Sequence, residues 1–295
     1  MKIDYRPTAK SYFSGAGLMD LGLQMAGINV IQSLEIDSVC VDTLRKNFNH
    51  KIIHSDIRNQ TVLSQEKSDI IVGTYPCTKY SAIADIHGAR TGDDLYLHFF
   101  RQMAIEQPEM YVLENVPGMR KFPVVMEAMS KLPGYYINVF CPVDALNWLP
   151  QKRERLILFG TKKNIFITPP SYQRRIKLSE IIESAPDTEI TQSVINRLKG
   201  QYRDKPIITN PENSGSYAPT CVAHYHKDRS TRLVIDKSHP NKLRPYTVLE
   251  YARLMGVPDW FKFSGTENQQ FKQIGNGVAV NMAEWIGKEI LKYFN

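Results

Sequence analysis

Along residues 1–160, short apolar runs alternate with stretches whose apolar side chains recur every three or four positions. Residues 10–13 read as a strand and 18–26 as a helix, residues 29–34 as a β-rich run and 39–48 as a second helix. The alternation continues with strands at 51–54 and 69–73, a helix at 95–105, a strand at 110–113, a helix near 124–132, and strands at 135–140 and 156–160. A chain that alternates in this way predicts an α/β fold, a doubly wound and mostly parallel sheet with helices on both faces. Such sheets bind ligands at the carboxyl ends of their strands. From residue 161 to 243 the rhythm is lost and Pro, Ser, Asn, Thr and basic residues become frequent. Residues 248–255 and 279–291 then read as helices. The expected division is residues 1–160 with 244–295 as the larger domain and 161–243 as a small one.

Charge sharpens that division. The formal net charge is +7, and residues 151–243 hold 17 Lys and Arg against 9 Asp and Glu while the rest of the chain holds 20 against 21. All of the excess lies in one segment, which therefore reads as a surface facing a polyanion or as a solvated basic face. The 295 residues, 42% of them hydrophobic, contain no run of eighteen apolar residues, and the first ten lack the apolar stretch of a signal peptide. A soluble cytoplasmic protein with no membrane segment is expected. Four scattered cysteines, Cys40, Cys77, Cys141 and Cys221, form no C-x-x-C pair. Reduced thiols are expected, without a metal centre.

Chemistry gathers at the predicted strand ends. "FSGAGLMDLGLQMAG", residues 13–27, follows the first strand and opens the first helix, so Gly15 and Gly17 allow close backbone approach to a ligand or simply form a tight turn. Glu35, at the end of the second strand, suits a pair of ribose hydroxyls, and Asp56–Ile57 after the third suits an adenine amino group and ring face. Together they describe a nucleoside pocket. Cys77 in "GTYPCTKYS" follows the fourth strand. A lone cysteine is usually an inert buried thiol, but Glu114 in "YVLENVPG" ends the next strand, and Arg153 and Arg155 in "PQKRERLILFG" precede a later one.

In this order and spacing the chain resembles the C5-cytosine-specific DNA methyltransferases over nearly its whole length. The cofactor loop, Pro76–Cys77, "ENV" at 114–116, "QKRER" at 151–155, "RPYTVLEYARLMGVPDWF" and "QFKQIGNGVAV" are similar to six motifs of that family. The resemblance implies an S-adenosylmethionine-binding domain with a target-recognition domain. It implies methyl transfer from S-adenosylmethionine to C5 of a flipped-out cytosine in double-stranded DNA, with no metal and by a monomer, as in bacterial or phage restriction–modification. Cys77 would add to C6, Glu114 would act at N3 and the exocyclic amine, Arg155 would contact O2 and support the developing charge, Arg153 of the same motif would also be catalytic, and Asn115 would brace the loop. Donor contacts would come from Phe13, Gly15, Ala16, Gly17, Glu35, Ile36, Asp56 and Ile57. The closing motif would add Asn276, Gly277 and Val278. Residues 82–94 lie where the family carries a loop that closes over the base.

The chain also departs from the pattern. Tyr75, Thr78 and Tyr80 replace a proline, a glutamine and a phenylalanine around the cysteine, "DDLYLH" replaces the usual arginine-bearing stretch, and "WLPQ" lacks a preceding glycine. Leu18 stands where the cofactor loop usually ends in glycine, which would put a bulky side chain beside the methionine part of the donor. Two readings within the fold stay open: a tRNA cytosine-5 methyltransferase, whose Cys-Phe-Thr signature is absent here, and a catalytically impaired DNA-binding relative. A nicotinamide-dependent oxidoreductase would leave "ENV", "QKRER" and "GNGV" unexplained.

Overall fold

The computed structural model describes residues 5–62, 66–76, 95–173, 176–184, 186, 188, 190–201, 203–204, 206–227 and 229–295. Cys77 and residues 82–94 lie outside them. The chain forms two compact units, one of residues 1–144, 154–170 and 282–295, the other of residues 145–153 and 171–281. Among the described residues no helix is long and apolar enough to cross a membrane.

The first unit is built on a seven-stranded sheet. Its strands are β1 (Thr8–Tyr12), β2 (Asn29–Glu35), β3 (Lys51–His54), β4 (Ile70–Gly73), β5 (Met110–Asn115), β6 (Tyr136–Asp144) and β7 (Glu154–Thr161), in the order β3-β2-β1-β4-β5-β7-β6. The first five pair in parallel, and β7 runs antiparallel to both neighbours. The expected mostly parallel α/β sheet is therefore present. β4 and β5, at its centre, are buried at every position, which is why "IIVG" and "MYVLEN" read as apolar runs without alternation.

Helices α1 (Leu18–Ala26), α2 (Ser38–Asn47), α3 (Leu95–Glu106) and α4 (Pro123–Ser130) connect these strands. Left-handed Gly17 starts α1 and left-handed Gly27 ends it, the latter donating to the Leu23 and Gln24 carbonyls. Asp37 caps α2 by accepting from the Val39 and Cys40 N–H groups. Close packing fixes Gly73: a Cβ there would stand 2.3 Å from the Phe99 ring of α3. The chain leaves β1 for β2 and β3 on one side and returns to β4 and β5 on the other. The adjacent carboxyl ends of β1 and β4 thus form the switch point where doubly wound sheets hold ligands.

The second unit holds a three-stranded sheet, β10-β9-β8, of β8 (Ile207–Thr209), β9 (Arg232–Ile235) and β10 (Leu243–Pro245), with α5 (Gln192–Lys199), α6 (Val248–Leu254) and α7 (Glu267–Asn276). Its core is aromatic. Tyr225 stacks on Tyr251 at 4.8 Å, and Phe271 stands edge-on to both at 5.2 and 5.3 Å. Arg244, fully buried, pairs with Asp236 and Glu250 at 2.6 Å each. Helix α8 (Val280–Phe294) closes the chain.

The small sheet, α5 and α7 were not expected from the sequence. β8 and β10 have three residues each, too short to show a period. In α7, "ENQQFKQIGN", Phe271 and Ile274 are buried beside the polar Gln273, and so few apolar positions give a weak helical signal.

Candidate active site

The loop after β1 is held by the carboxylate that the sequence places opposite it. Gly15, at φ +54°, donates its N–H to Glu35 Oε2 at 2.7 Å, and Glu35 Oε1 accepts from the Ile36 and Asp37 N–H groups at 2.8 Å each. One nearly buried carboxylate thus ties the glycine loop to the entrance of α2. The space where a Gly15 side chain would stand is open to at least 4 Å. Gly17 has a different reason: a Cβ there would meet the Phe48 ring at 2.5 Å and Leu44 at 2.7 Å.

Phe13 takes a left-handed φ of 60°, sets its ring edge-on to Tyr75 at 6.3 Å, and accepts the Thr74 hydroxyl on its carbonyl at 2.9 Å. The exits of β1 and β4 are therefore locked together. Ile36 is 59% exposed at the end of β2, whereas Ile57 is buried. Asp56 caps the turn at Ile57–Asn59 and takes both the Arg58 N–H and its guanidinium, which holds the carboxyl below its usual range. Leu18, expected beside the donor, is 1% exposed. As the first residue of α1 its side chain is covered by protein instead.

At the end of β5 the second group assembles. Arg155 Nε meets Glu114 Oε1 at 2.8 Å, with the side chains 12% and 9% exposed. Arg155 also donates to the Glu154 carbonyl at 2.7 Å, which fixes the guanidinium plane. Asn115 turns its amide the other way: Nδ2 donates to the Tyr75 carbonyl at 3.1 Å and Oδ1 accepts from the Val116 N–H at 2.9 Å. Tyr75 is two residues before Cys77, so β5 grips the segment that leads to the thiol. Thr74 and Tyr75 were not among the expected site residues. Their ties run through backbone carbonyls, which carry no sequence signal.

Arg153, expected beside Arg155, belongs to the second unit and spends its guanidinium there. It donates to the Cys221 carbonyl at 2.9 Å, to Gly275 at 3.0 Å and to Gly277 at 2.6 Å. Asn276 ends α7, followed by Gly277 in extended conformation and by buried Val278. The described residues therefore form one group of Phe13, Gly15, Ala16, Gly17, Glu35, Ile36, Asp56 and Ile57 around the strand ends and another of Glu114, Asn115 and Arg155 on the adjoining strands.

The model of the C-5 cytosine-specific DNA methylases matches residues 8–292. The chain belongs to that family. Type II methyltransferase M.FnuDI of Fusobacterium nucleatum is 30% identical, covering 95% of this chain and 93% of the relative. Type II methyltransferase M.Sau96I of Staphylococcus aureus is 26% identical over 96% and 75%. The solved structure of the Entamoeba histolytica methyltransferase EhMeth superposes with a TM-score of 0.81 at 16% identity, covering 99% of this chain and all of that one. As a C-5 cytosine-specific DNA methylase the protein is a DNA (cytosine-5-)-methyltransferase, and membership implies S-adenosylmethionine as the methyl donor. Residues 8–292, which the family model matches, include both groups of strand-end residues.

Proposed function

We propose that this methyltransferase acts on double-stranded DNA through addition of the Cys77 thiolate to C6 of a flipped-out cytosine. The observation that carries the reading is the Glu114–Arg155 pair, at 2.8 Å, next to the Asn115 tether on Tyr75. A thiol placed two residues beyond that tether meets a base whose N3 faces Glu114 and whose O2 faces Arg155. As sulfur bonds to C6, the electron pair of the C5–C6 bond shifts toward C5 and the ring. Glu114 delivers a proton toward N3, and the Arg155 cation supports the charge at O2. C5 then takes the methyl group and gives up its proton to a base, and as the sulfur is expelled N3 returns its proton to Glu114, which restores both the aromatic ring and the thiolate. Because C6 is shielded in a stacked duplex, the base leaves the helix first, at a cost of about a few kcal/mol.

The donor fits the glycine loop. Gly15 leaves open space, Glu35 offers a carboxylate for ribose hydroxyls, Asp56 an acceptor for an exocyclic amine, and exposed Ile36 an apolar face for a purine. Bound there, S-adenosylmethionine supplies an electrophilic methyl group. No metal is assigned a role. Reading of the target sequence belongs to basic residues 161–243. Bisulfite sequencing of DNA from an expressing host tests substrate and position together, with tRNA from the same host as comparison. Methylation confined to tRNA overturns the DNA assignment. A duplex with 5-fluorocytosine at the mapped position, which has no C5 proton to lose, should stay bonded to the protein through a denaturing gel. Cys77→Ser should abolish that band, and trapping by the serine variant overturns the covalent step.

A further inference from the structure

In the second unit, residues 150–153 serve as a template for another segment. Pro150 and Lys152 bond the backbone of Ala218 on both sides, at 2.8 and 3.0 Å, and the Thr220 hydroxyl donates to the Lys152 carbonyl at 2.7 Å. Gln151, fully buried, accepts the Cys221 N–H at 2.9 Å while its amide donates to Leu254 at 2.7 Å. The segment held in this way runs directly into His224, His226, Lys227, Arg229 and Arg232. Arg153 completes the arrangement, because one buried guanidinium joins the Cys221 carbonyl to those of Gly275 and Gly277. The two segments also touch without intervening side chains: a Cβ on Gly275 would lie 2.4 Å from the Val222 carbonyl carbon and the Ala223 nitrogen.

We propose that Arg153 is a positioning residue that couples donor binding at the Gly277 turn to DNA binding by the segment from Ala218 to Arg232. The inference rests on the family resemblance, which gives Asn276–Val278 to the donor, and on the reading above, in which the basic segment touches DNA. A displacement of the turn has no slack to absorb it, because both segments share the three carbonyl bonds and one backbone contact. Each ligand therefore favours the arrangement that the other needs, and the coupling is reciprocal. The planar guanidinium reaches three acceptors in fixed directions, and a lysine ammonium in its place keeps the charge but loses the fork.

The test uses the full chain, a fluorescent duplex carrying the mapped target, and S-adenosylhomocysteine. Duplex affinity is measured by anisotropy with and without S-adenosylhomocysteine, and S-adenosylhomocysteine affinity by calorimetry with and without duplex. In the unmodified protein each ligand is expected to tighten the other at least about fivefold, the lower end of ordinary coupling. Arg153→Lys is expected to reduce both factors together to below about twofold, while each ligand alone binds within about threefold of the unmodified value. Arg244→Lys, which weakens a buried pair of the same unit away from this contact, controls for destabilisation and should keep the coupling. Equal coupling in Arg153→Lys and the unmodified protein overturns the inference, as does an equal loss in Arg244→Lys. So does S-adenosylhomocysteine binding with no effect on the duplex. Failure to bind S-adenosylhomocysteine at all overturns the donor reading itself. Should Arg153→Lys not fold, Thr220→Val removes one bond to the template and should lower both factors in the same sense, with unchanged factors overturning the inference.

Discussion

On the proposed mechanism, replacing the Glu114 carboxylate by an amide would remove the proton delivered to N3, and it leaves Arg155 against a neutral group. Glu114→Gln is expected to lose about 10²- to 10⁴-fold in single-turnover methylation, the range of a lost general acid, with duplex affinity nearly unchanged. A loss of binding equal to the loss of rate would move Glu114 from chemistry to DNA contact. A second residue-scale effect comes from Asp20 on α1. It is wholly buried and accepts the Ser33 hydroxyl at 2.6 Å, and the same hydroxyl meets His50 Nε2 at 2.6 Å. Burial pushes its carboxyl up to about 6, the Ser11 and Ser33 hydroxyls oppose that shift, and the Glu35 charge adds to it. A raised carboxyl binds its proton more tightly in the folded state, so its contribution to stability is complete below its unfolded value of about 3.9 and is lost as pH rises through 6. Asp20→Asn should therefore melt higher relative to the unmodified protein at about pH 8 than at about pH 5, read by calorimetry. A difference that does not change with pH would show Asp20 titrating normally. Glu114, Arg155 and Glu35 were legible in the sequence because charged groups stood at predicted strand ends. The Asn115 brace entered only through the family resemblance, and the Thr74 and Tyr75 ties were not legible at all, because the bonds there run to backbone atoms set only by the fold.

At the scale of elements, patterned burial decided what the sequence showed. β4 and β5 announce themselves by continuous apolar runs, and α1 by the glycines at both ends. β6 extends to Asp144, beyond the residue 140 expected, through an irregularity between Phe140 and Val143 that breaks the alternation. α6 is fixed by chemistry that periodicity misses. Glu250 closes a capping box with Thr247, accepts the Glu183 N–H at 2.9 Å, and pairs with buried Arg244. Glu250→Ala strips three partners and leaves a buried cation against one remaining carboxylate, Asp236. We expect a loss of about 3–5 kcal/mol in urea unfolding, the cost of breaking a buried pair from one side. A loss below about 1 kcal/mol would mean that solvent reaches Arg244 and that the pair behaves like a surface bridge.

For the whole molecule, the excess positive charge concentrated in residues 151–243 is what makes that segment the one proposed to face DNA phosphate. Exchanging residues 165–240 for those of a relative with another target should change the methylated sequence and leave donor affinity within a few-fold, as read by bisulfite sequencing and calorimetry. A chimera that keeps the original target overturns the assignment. Neutralising basic residues in the segment should lower the slope of log affinity against log salt by about 0.9 for each phosphate contact removed. Charge was visible from composition alone. The association of residues 145–153 with 171–281 was not, since it depends on long-range bonds from Gln151 and Arg153 that leave no local period.

The division of the first unit into three stretches of chain also sets an order of completion on the ribosome. Its last stretch, residues 282–295, supplies buried Met282, Ala283, Ile286 and Ile290. Trp285 stands edge-on to Phe140 and Phe159 at 5.7 Å each and donates to the Thr168 carbonyl at 3.2 Å. Every residue of the second unit is synthesised before these side chains emerge. The nascent sheet that carries Glu35 and Glu114 therefore waits with its α8 face uncovered until residues 282–295 have been made, while the later-begun second unit already has all its parts. A chain stopped after residue 281 should release a protein that is protease-resistant in residues 171–281 and cut readily in the seven-stranded sheet.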